Sequence, residues 1–462
     1  MTKPLHYIST RGEAPEADFD DVLLTGMAPD GGLYLPSRWP SLSLQQWTKL
    51  SEATYQELAA TMLAPFMRSS MLLPHLEDIV QEAYGTFRHA AIAPLVQISS
   101  NEWVLELFHG PTLAFKDIAL QFLGACLRRI LAEREQTLTV IGATSGDTGS
   151  AAIEACRGNP SIRCVILHPH GKVSHVQRLQ MTTVPDSNIH NIAIEGSFDD
   201  CQSLVKQLFA EPALRKGLNL TAVNSINWAR IMAQSVYYAY AALRLGGPWH
   251  SVNMVVPTGN FGNIFAGHVA RHMGLPMGKL VIATNQNDIL KRLWLQGDYH
   301  TQPVHQSLAP SMDIQVASNL ERLLLEADHG SKPLNKQMMA LREEGGFAMQ
   351  GAPLAYLRKR MLAGSANDAE IASAIKAVHD ESGMVMDPHT ASGVHVGREL
   401  KLKGPTVYLA TAHPAKFPDA VHKATGIHPA LPPHLADLAQ RKERFSIMPN
   451  NLAQLRDYLQ KL

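Results

Sequence analysis

From about residue 95 to about residue 285, short apolar runs rich in Val, Ile and Leu alternate with longer segments whose apolar residues recur at helical spacing. The runs read as buried strands and the intervening segments as helices, so the pattern predicts a succession of βα units. Parallel neighbours need a crossover of helical length, which makes an α/β fold with mainly parallel sheets the expectation. The predicted strands are Leu138–Ile141, Cys164–Leu167, Ile192–Ile194, Asn253–Val256, Leu280–Ala283 and, further on, Thr406–Ala410. Residues 1 to about 90 carry helical and irregular patterns around a Gly/Pro-rich turn at Ala28–Pro36, and read as an N-terminal cap on the main body. Later helices are predicted at Asn319–Ala327 and Leu334–Glu343, with a last one over Leu452–Leu462 on the surface.

A chain of 462 residues is long enough for two or three domains and a large buried core. Its formal net charge is zero, without a basic block or acidic tail. That argues against nucleic acid or a membrane surface as partner and for a small-molecule ligand. Met1–His6 lacks an apolar signal core, and no run approaches the roughly 20 apolar residues of a membrane span, so a cytoplasmic location is expected. Cys126, Cys156, Cys164 and Cys201 are widely spaced without a Cys-x-x-Cys pair, which predicts buried free thiols and no disulfide. His168, His170 and His175 lack a carboxylate or thiol to complete a ligand set, so no metal is expected.

Four stretches carry candidate chemistry. Phe108–Asp117 places a single lysine, Lys116, among apolar residues at the start of a predicted helix. The positive end of the helix dipole and apolar walls both oppose its protonation, and a lysine so tuned is a usable amine nucleophile. The same residues also describe a lysine whose stem lies on apolar surface with its ammonium in water. Val255–Gly267 reads as a strand, a Gly/Asn-rich turn through Gly259, Asn260, Phe261, Gly262 and Asn263, and a helix. Free backbone N–H groups there would make a phosphate cradle, although a structural turn has the same signature. The Gly-Lys-Ser/Thr ending of a nucleotide P-loop is absent. Gly142–Gly149, with Thr144, Ser145, Asp147 and Thr148, could hold a carboxylate, and its glycines do not match a dinucleotide fingerprint. Asn224–Arg230 offers Asn227 and the Arg230 guanidinium to a second phosphate, or else a helix cap followed by a surface arginine.

In this order along the chain, these pieces resemble the threonine synthase family, pyridoxal 5'-phosphate (PLP) enzymes of the tryptophan-synthase-β fold type, fold type II. The opening Tyr7–Gly12, the Ala28–Pro36 turn, His109–Asp117, Ala143–Gly149, Gly259–Asn263 and Thr411–Phe417 carry the resemblance, which spans nearly the whole chain. It implies two α/β domains with mainly parallel sheets plus an N-terminal helical extension. Residues 1–92 would be the extension, 93–120 with 231–462 the large PLP-binding domain, and 121–230 the smaller α/β domain.

The resemblance also implies roles. Lys116 would bond covalently to PLP and later shuttle protons. Gly259, Asn260, Phe261, Gly262 and Asn263 would hold the cofactor phosphate, and Thr411 would meet the pyridine nitrogen. Thr144, Ser145, Asp147 and Thr148 would surround the substrate carboxylate, with Asn227 and Arg230 at the substrate phosphate. Shorter family members have Pro where Trp228 stands. The implied lyase reaction turns O-phospho-L-homoserine and water into L-threonine and phosphate. The alternatives are another PLP-dependent lyase, such as a serine or threonine dehydratase, and a catalytically silent homologue, which would be expected to lack Lys116.

Overall fold

The computed structural model describes residues 4–144, 146–222 and 225–462. A six-stranded sheet runs in the order Met361–Ser365, Leu280–Thr284, Asn253–Pro257, Thr406–Ala410, Glu102–Glu106, Leu95–Ser99. Its strands are parallel except the last, which is antiparallel to its neighbour. A smaller, wholly parallel sheet of five strands runs Ser446–Pro449, Ile189–Glu195, Ile162–Pro169, Leu138–Ala143, Leu220–Ala222. All six predicted strands are present, each within a residue or a few of its expected limits.

The strands Asn253–Pro257, Leu280–Thr284 and Thr406–Ala410 are buried along their whole length, as parallel strands covered on both faces must be. Alternation assigns the faces. Met254, Val256, Ile282 and Leu409 join the core shared with helices Lys116–Glu133, Trp228–Arg244 and Gly262–His272. Val255, Val281, Tyr408 and Ala410 pack on the opposite side, against Ile375 of Asp368–Ser382 and Ala391 and Val394 of Pro388–Glu399. Helix Trp228–Arg244 is buried from Trp228 through Leu243, so it has no solvent face to give it amphipathic periodicity.

The N-terminal region differs in part from the helical and irregular expectation. Tyr7–Ser9 and Tyr34–Pro36 form an antiparallel pair, too short to show alternation in the sequence. Tyr7 and Phe66 pack against Trp228, so the region shares the main core. The buried Arg322 donates to the Tyr34 and Ile226 carbonyls at 3.0 and 2.6 Å and to Asn319 Oδ1, which ties this pair to the middle of the chain.

The tail corrects the expected division of the chain, which put 231–462 in one domain. Ser446–Pro449 adds a parallel edge strand to the smaller sheet, and Leu455 and Leu459 of helix Leu452–Lys461 pack with Cys201, Leu204 and Leu208. Only Met448 of that strand is buried, so the pairing rests on backbone hydrogen bonds and leaves no apolar pattern to read. The edge strand Leu95–Ser99 of the larger sheet, with only Ile98 buried, was missing from the prediction for the same reason, and Met361–Ser365 at the other edge was missed because its Ala-Gly-Ser end carries no strong apolar signal. All four cysteines are buried and free. Among the described residues no helix is long and apolar enough to cross a membrane.

Candidate active site

Strands Glu102–Glu106, Thr406–Ala410 and Asn253–Pro257 are adjacent and parallel, so the segments that follow them leave the sheet at one edge. Those segments carry Lys116, Thr411 and Gly259–Asn263. Phe115 N–H donates to the Thr411 carbonyl at 2.9 Å and His413 N–H to the Leu113 carbonyl at 3.0 Å, around a bridge between Ala114 and Ala412. Lys116 and Thr411 are thereby held on neighbouring segments, although they are far apart in the chain.

Lys116 is the first residue of helix Lys116–Glu133, and its side chain keeps 13% of its exposure. Its Nζ lies 3.3 Å from Asp147 Oδ2. Burial lowers its pKa, the charges of Lys416 and Arg230 push the same way, and Asp147 opposes them. The reading of a lysine with its ammonium in water is therefore set aside. Asp147 also accepts from Lys416 Nζ at 2.7 Å and Gln177 Nε2 at 2.8 Å. Burial pushes the Asp147 pKa upward, but the charges of Lys416 and Lys116 overcome this and hold it well below the ordinary value.

Thr144 is buried, and its hydroxyl oxygen accepts from Gly146 N–H at 3.0 Å and Gly149 N–H at 2.9 Å, which ties it to the start of helix Asp147–Cys156. Thr148 is half-buried in the first turn of helix Asp147–Cys156, and Ser145 lies outside the described residues. Asn227 is spent on structure: its Oδ1 caps helix Trp228–Arg244 through Ala229 N–H at 3.0 Å, and its Nδ2 donates to the Leu23 carbonyl at 2.9 Å. Asn224 is outside the described residues. Arg230 is not the surface arginine of the alternative reading. It is 3% exposed, and burial lowers its pKa to about 10.

The arrangement is an amine of lowered pKa that feels the charge of a buried guanidinium, on the same end of the sheet as a Gly/Asn-rich helix start. Three family models match the chain. The model described as "Threonine synthase N terminus" matches residues 6–84, "Pyridoxal-phosphate dependent enzyme" residues 88–350, and "Threonine synthase, C-terminal" residues 390–459. A threonine synthase from Pseudomonas aeruginosa is 51% identical over 460 residues, 98% of each chain. The chain belongs to the threonine synthase family. Among solved structures, the PLP-bound threonine synthase from Brucella melitensis matches with a TM-score of 0.96 at 51% identity, over 99% of each chain. The threonine synthase from yeast matches with a TM-score of 0.94 at 36% identity, over 99% of this chain and 98% of that one.

Threonine synthases are PLP-dependent enzymes, and the residues here fit that cofactor. Helix Gly262–His272 starts at Phe261 without a side-chain cap, so its first N–H groups are available to an anion. Phe261 holds a left-handed φ of 64°, a conformation that costs a non-glycine residue about 1–2 kcal/mol. Asn263 Oδ1 accepts from the Tyr237 and Tyr238 hydroxyls, while its Nδ2 is buried with no partner among the described residues. A phosphate oxygen would satisfy it.

At Gly259 an added Cβ would stand 2.6 Å from the Ser311 carbonyl oxygen. The exposed Asn260 is held by its carbonyl, which accepts from Asn319 N and Nδ2 at 3.1 and 2.9 Å. Gly259→Ala must displace one of these segments, and at about 1–3 kcal/mol for overpacking the expected loss in PLP affinity is about 10-fold. Titration of the apoenzyme with PLP measures it.

Sequence reasoning overlooked several neighbours of this threonine synthase site. Lys416 is fully buried, with Nζ also donating to the Thr112 carbonyl at 2.8 Å. Its signal was present, a lysine between Ala415 and Phe417 inside an already recognised motif. Ser311 donates to His389 Nε2 from its backbone at 3.1 Å, and His389 Nδ1 is 2.8 Å from Asp387. The short helical turn Pro310–Met312 that carries Ser311 has no sequence signature.

Proposed function

We propose that this chain converts O-phospho-L-homoserine and water into L-threonine and inorganic phosphate. The observation that carries the reading is that one buried amine, Lys116, lies within electrostatic reach of a buried guanidinium, Arg230, in a family whose cofactor brings its own phosphate. Two anions need two sites. The start of helix Gly262–His272 suits the cofactor phosphate and Arg230 the substrate phosphate. Asn227 would act only by setting the start of the helix that carries Arg230, since both ends of its side chain are engaged.

When bound, PLP supplies the electron sink that lets protons leave carbon. Lys116 would be its covalent attachment point and, once released, the base at Cα and then at Cβ of the substrate. A phosphate on Cγ leaves only when charge develops at Cβ, so one mobile amine serves both positions. Thr144, Thr148 and Ser145 would meet the substrate carboxylate through hydroxyls and backbone N–H groups. Asp147 carries the same sign of charge as that carboxylate, and its role would be to hold Lys116 and Lys416 in place. Thr411 would hydrogen-bond the pyridine nitrogen and keep it neutral. Water then adds at Cβ.

The test is incubation with O-phospho-L-homoserine in heavy-oxygen water. Equal amounts of phosphate and L-threonine are expected, with the label in the threonine hydroxyl. A keto acid as the sole organic product would instead identify a dehydratase-type lyase and overturn the proposal.

A further inference from the structure

Near the C-terminal end of helix Gly262–His272, His268 and His272 stand one turn apart on the same face. Helix Leu320–Ala327 lays Glu326 against them. His268 Nε2 is 2.9 Å and His272 Nε2 is 3.4 Å from Glu326 Oε2, and the two nitrogens are 3.0 Å apart. Among the described residues no other three His, Cys, Asp or Glu side chains bring donor atoms together in this way. We propose that His268, His272 and Glu326 bind one first-row divalent cation, with zinc as the preferred ion, through three protein ligands and one open position.

The dimensions support it. Tetrahedral zinc with bonds of about 2.0–2.1 Å sets its ligand atoms about 3.3 Å apart. The three edges here scatter around that value. Two imidazoles at i and i+4 of one helix with a carboxylate from another are a ligand set of known zinc chemistry.

Hydrogen bonding alone accounts for the cluster poorly. A single proton can bridge the two nitrogens, yet both also crowd one carboxylate oxygen that already accepts from the Tyr356 hydroxyl at 2.8 Å. The other oxygen, Oε1, is buried with no partner among the described residues. With a cation in place, Tyr356 becomes an outer-shell donor to a liganding oxygen.

The surroundings hold the donors in position. His268 is almost completely buried, so its ring has little room to turn away. Trp39 stacks on His272 at 4.4 Å with ring planes 6° apart and fixes that ring. His272 retains 27% of its exposure, which leaves an entry path.

Such an ion would clamp the helix that starts at the proposed PLP phosphate site to the helix that follows Asn319. Asn319 itself holds Asn260. The role is structural, and the reaction does not pass through the metal.

The PLP-loaded enzyme, stripped with a chelator and titrated with Co²⁺, is expected to take up one tightly held equivalent with the visible bands of a tetrahedral site. Zn²⁺ should displace it and raise the melting temperature in proportion to the logarithm of its concentration. His272→Ala and Glu326→Gln each remove a ligand, and the loss of Zn²⁺ affinity should reach about 100-fold or more, since outer-shell changes alone cost about 10–100-fold. PLP absorbance should persist in both. His428→Ala, which removes half of the stacked His422–His428 pair, should bind Zn²⁺ like the wild type. Equal Zn²⁺ affinity in wild type and His272→Ala, or a wild-type Co²⁺ spectrum without tetrahedral bands, would overturn the proposal.

Discussion

Lys116→Ala is expected to lower phosphate release from O-phospho-L-homoserine by at least about 1,000-fold, because it removes both the covalent anchor for PLP and the base proposed for two carbon centres. The neighbouring Lys416 is a poor substitute. Its Nζ is tied to Asp147 at 2.7 Å and to the Thr112 carbonyl at 2.8 Å, and it has no exposed surface. The variant should fold, since alanine has a high helix propensity and Asp147 keeps one lysine partner. Borohydride reduction followed by peptide mass spectrometry gives a second readout. The wild-type chain should carry a phosphopyridoxyl group on the peptide containing Lys116. A tag on Lys416 instead, or activity within tenfold of wild type in the variant, would remove Lys116 from its role.

Asp147→Asn should be among the most destabilising single changes in the molecule, by about 3–5 kcal/mol, because it leaves the buried Lys416 without its counter-charge. The Asp147 carboxylate is more acidic in the folded chain than in the unfolded one. Its contribution is therefore fully present above the ordinary carboxyl pKa of about 3.9 and is lost as the pH falls through the folded value. The wild type should lose stability below about pH 4 to a greater extent than the variant. Denaturant midpoints across that range measure both effects. Replacing Lys416 by Met in the same chain should recover much of the loss, as a neutral pair needs no partner charge. A change below about 1 kcal/mol in the single variant would mean that Lys416 and Asp147 are not coupled as drawn.

The parts of the site that could be read in the sequence are those built from one local segment. The strand, Gly/Asn turn and helix at Asn253–His272 announce themselves because glycine, asparagine and the change of apolar period are local signals. Lys116 stood out for the same reason. The order of motifs along the chain then pointed to the family, which the matches over nearly its full length show.

Other parts had two local meanings that only packing could separate. Asn227 followed by Arg230 reads most commonly as a cap with a surface arginine and also as an anion site, and the folded chain has a cap followed by a buried guanidinium. The edge strand Ser446–Pro449 is exposed except at Met448 and carries no alternation, so its place beside Ile189–Glu195 was invisible.

By itself the sequence determined the α/β architecture, six of the strands, and the loops that end in a lysine and in a run of backbone donors, but not the interior strand Glu102–Glu106. Apolar periodicity and turn chemistry act over a few residues, and these elements depend on nothing more. Only the tertiary structure decided that Lys116 and Lys416 share Asp147, that Ser311 closes over Gly259, and that His268 and His272 meet Glu326. Periodicity tells which face of a segment is buried and carries no record of which distant face it meets. Asp147 and Ser311, 164 residues apart, come together through the arrangement of two sheets.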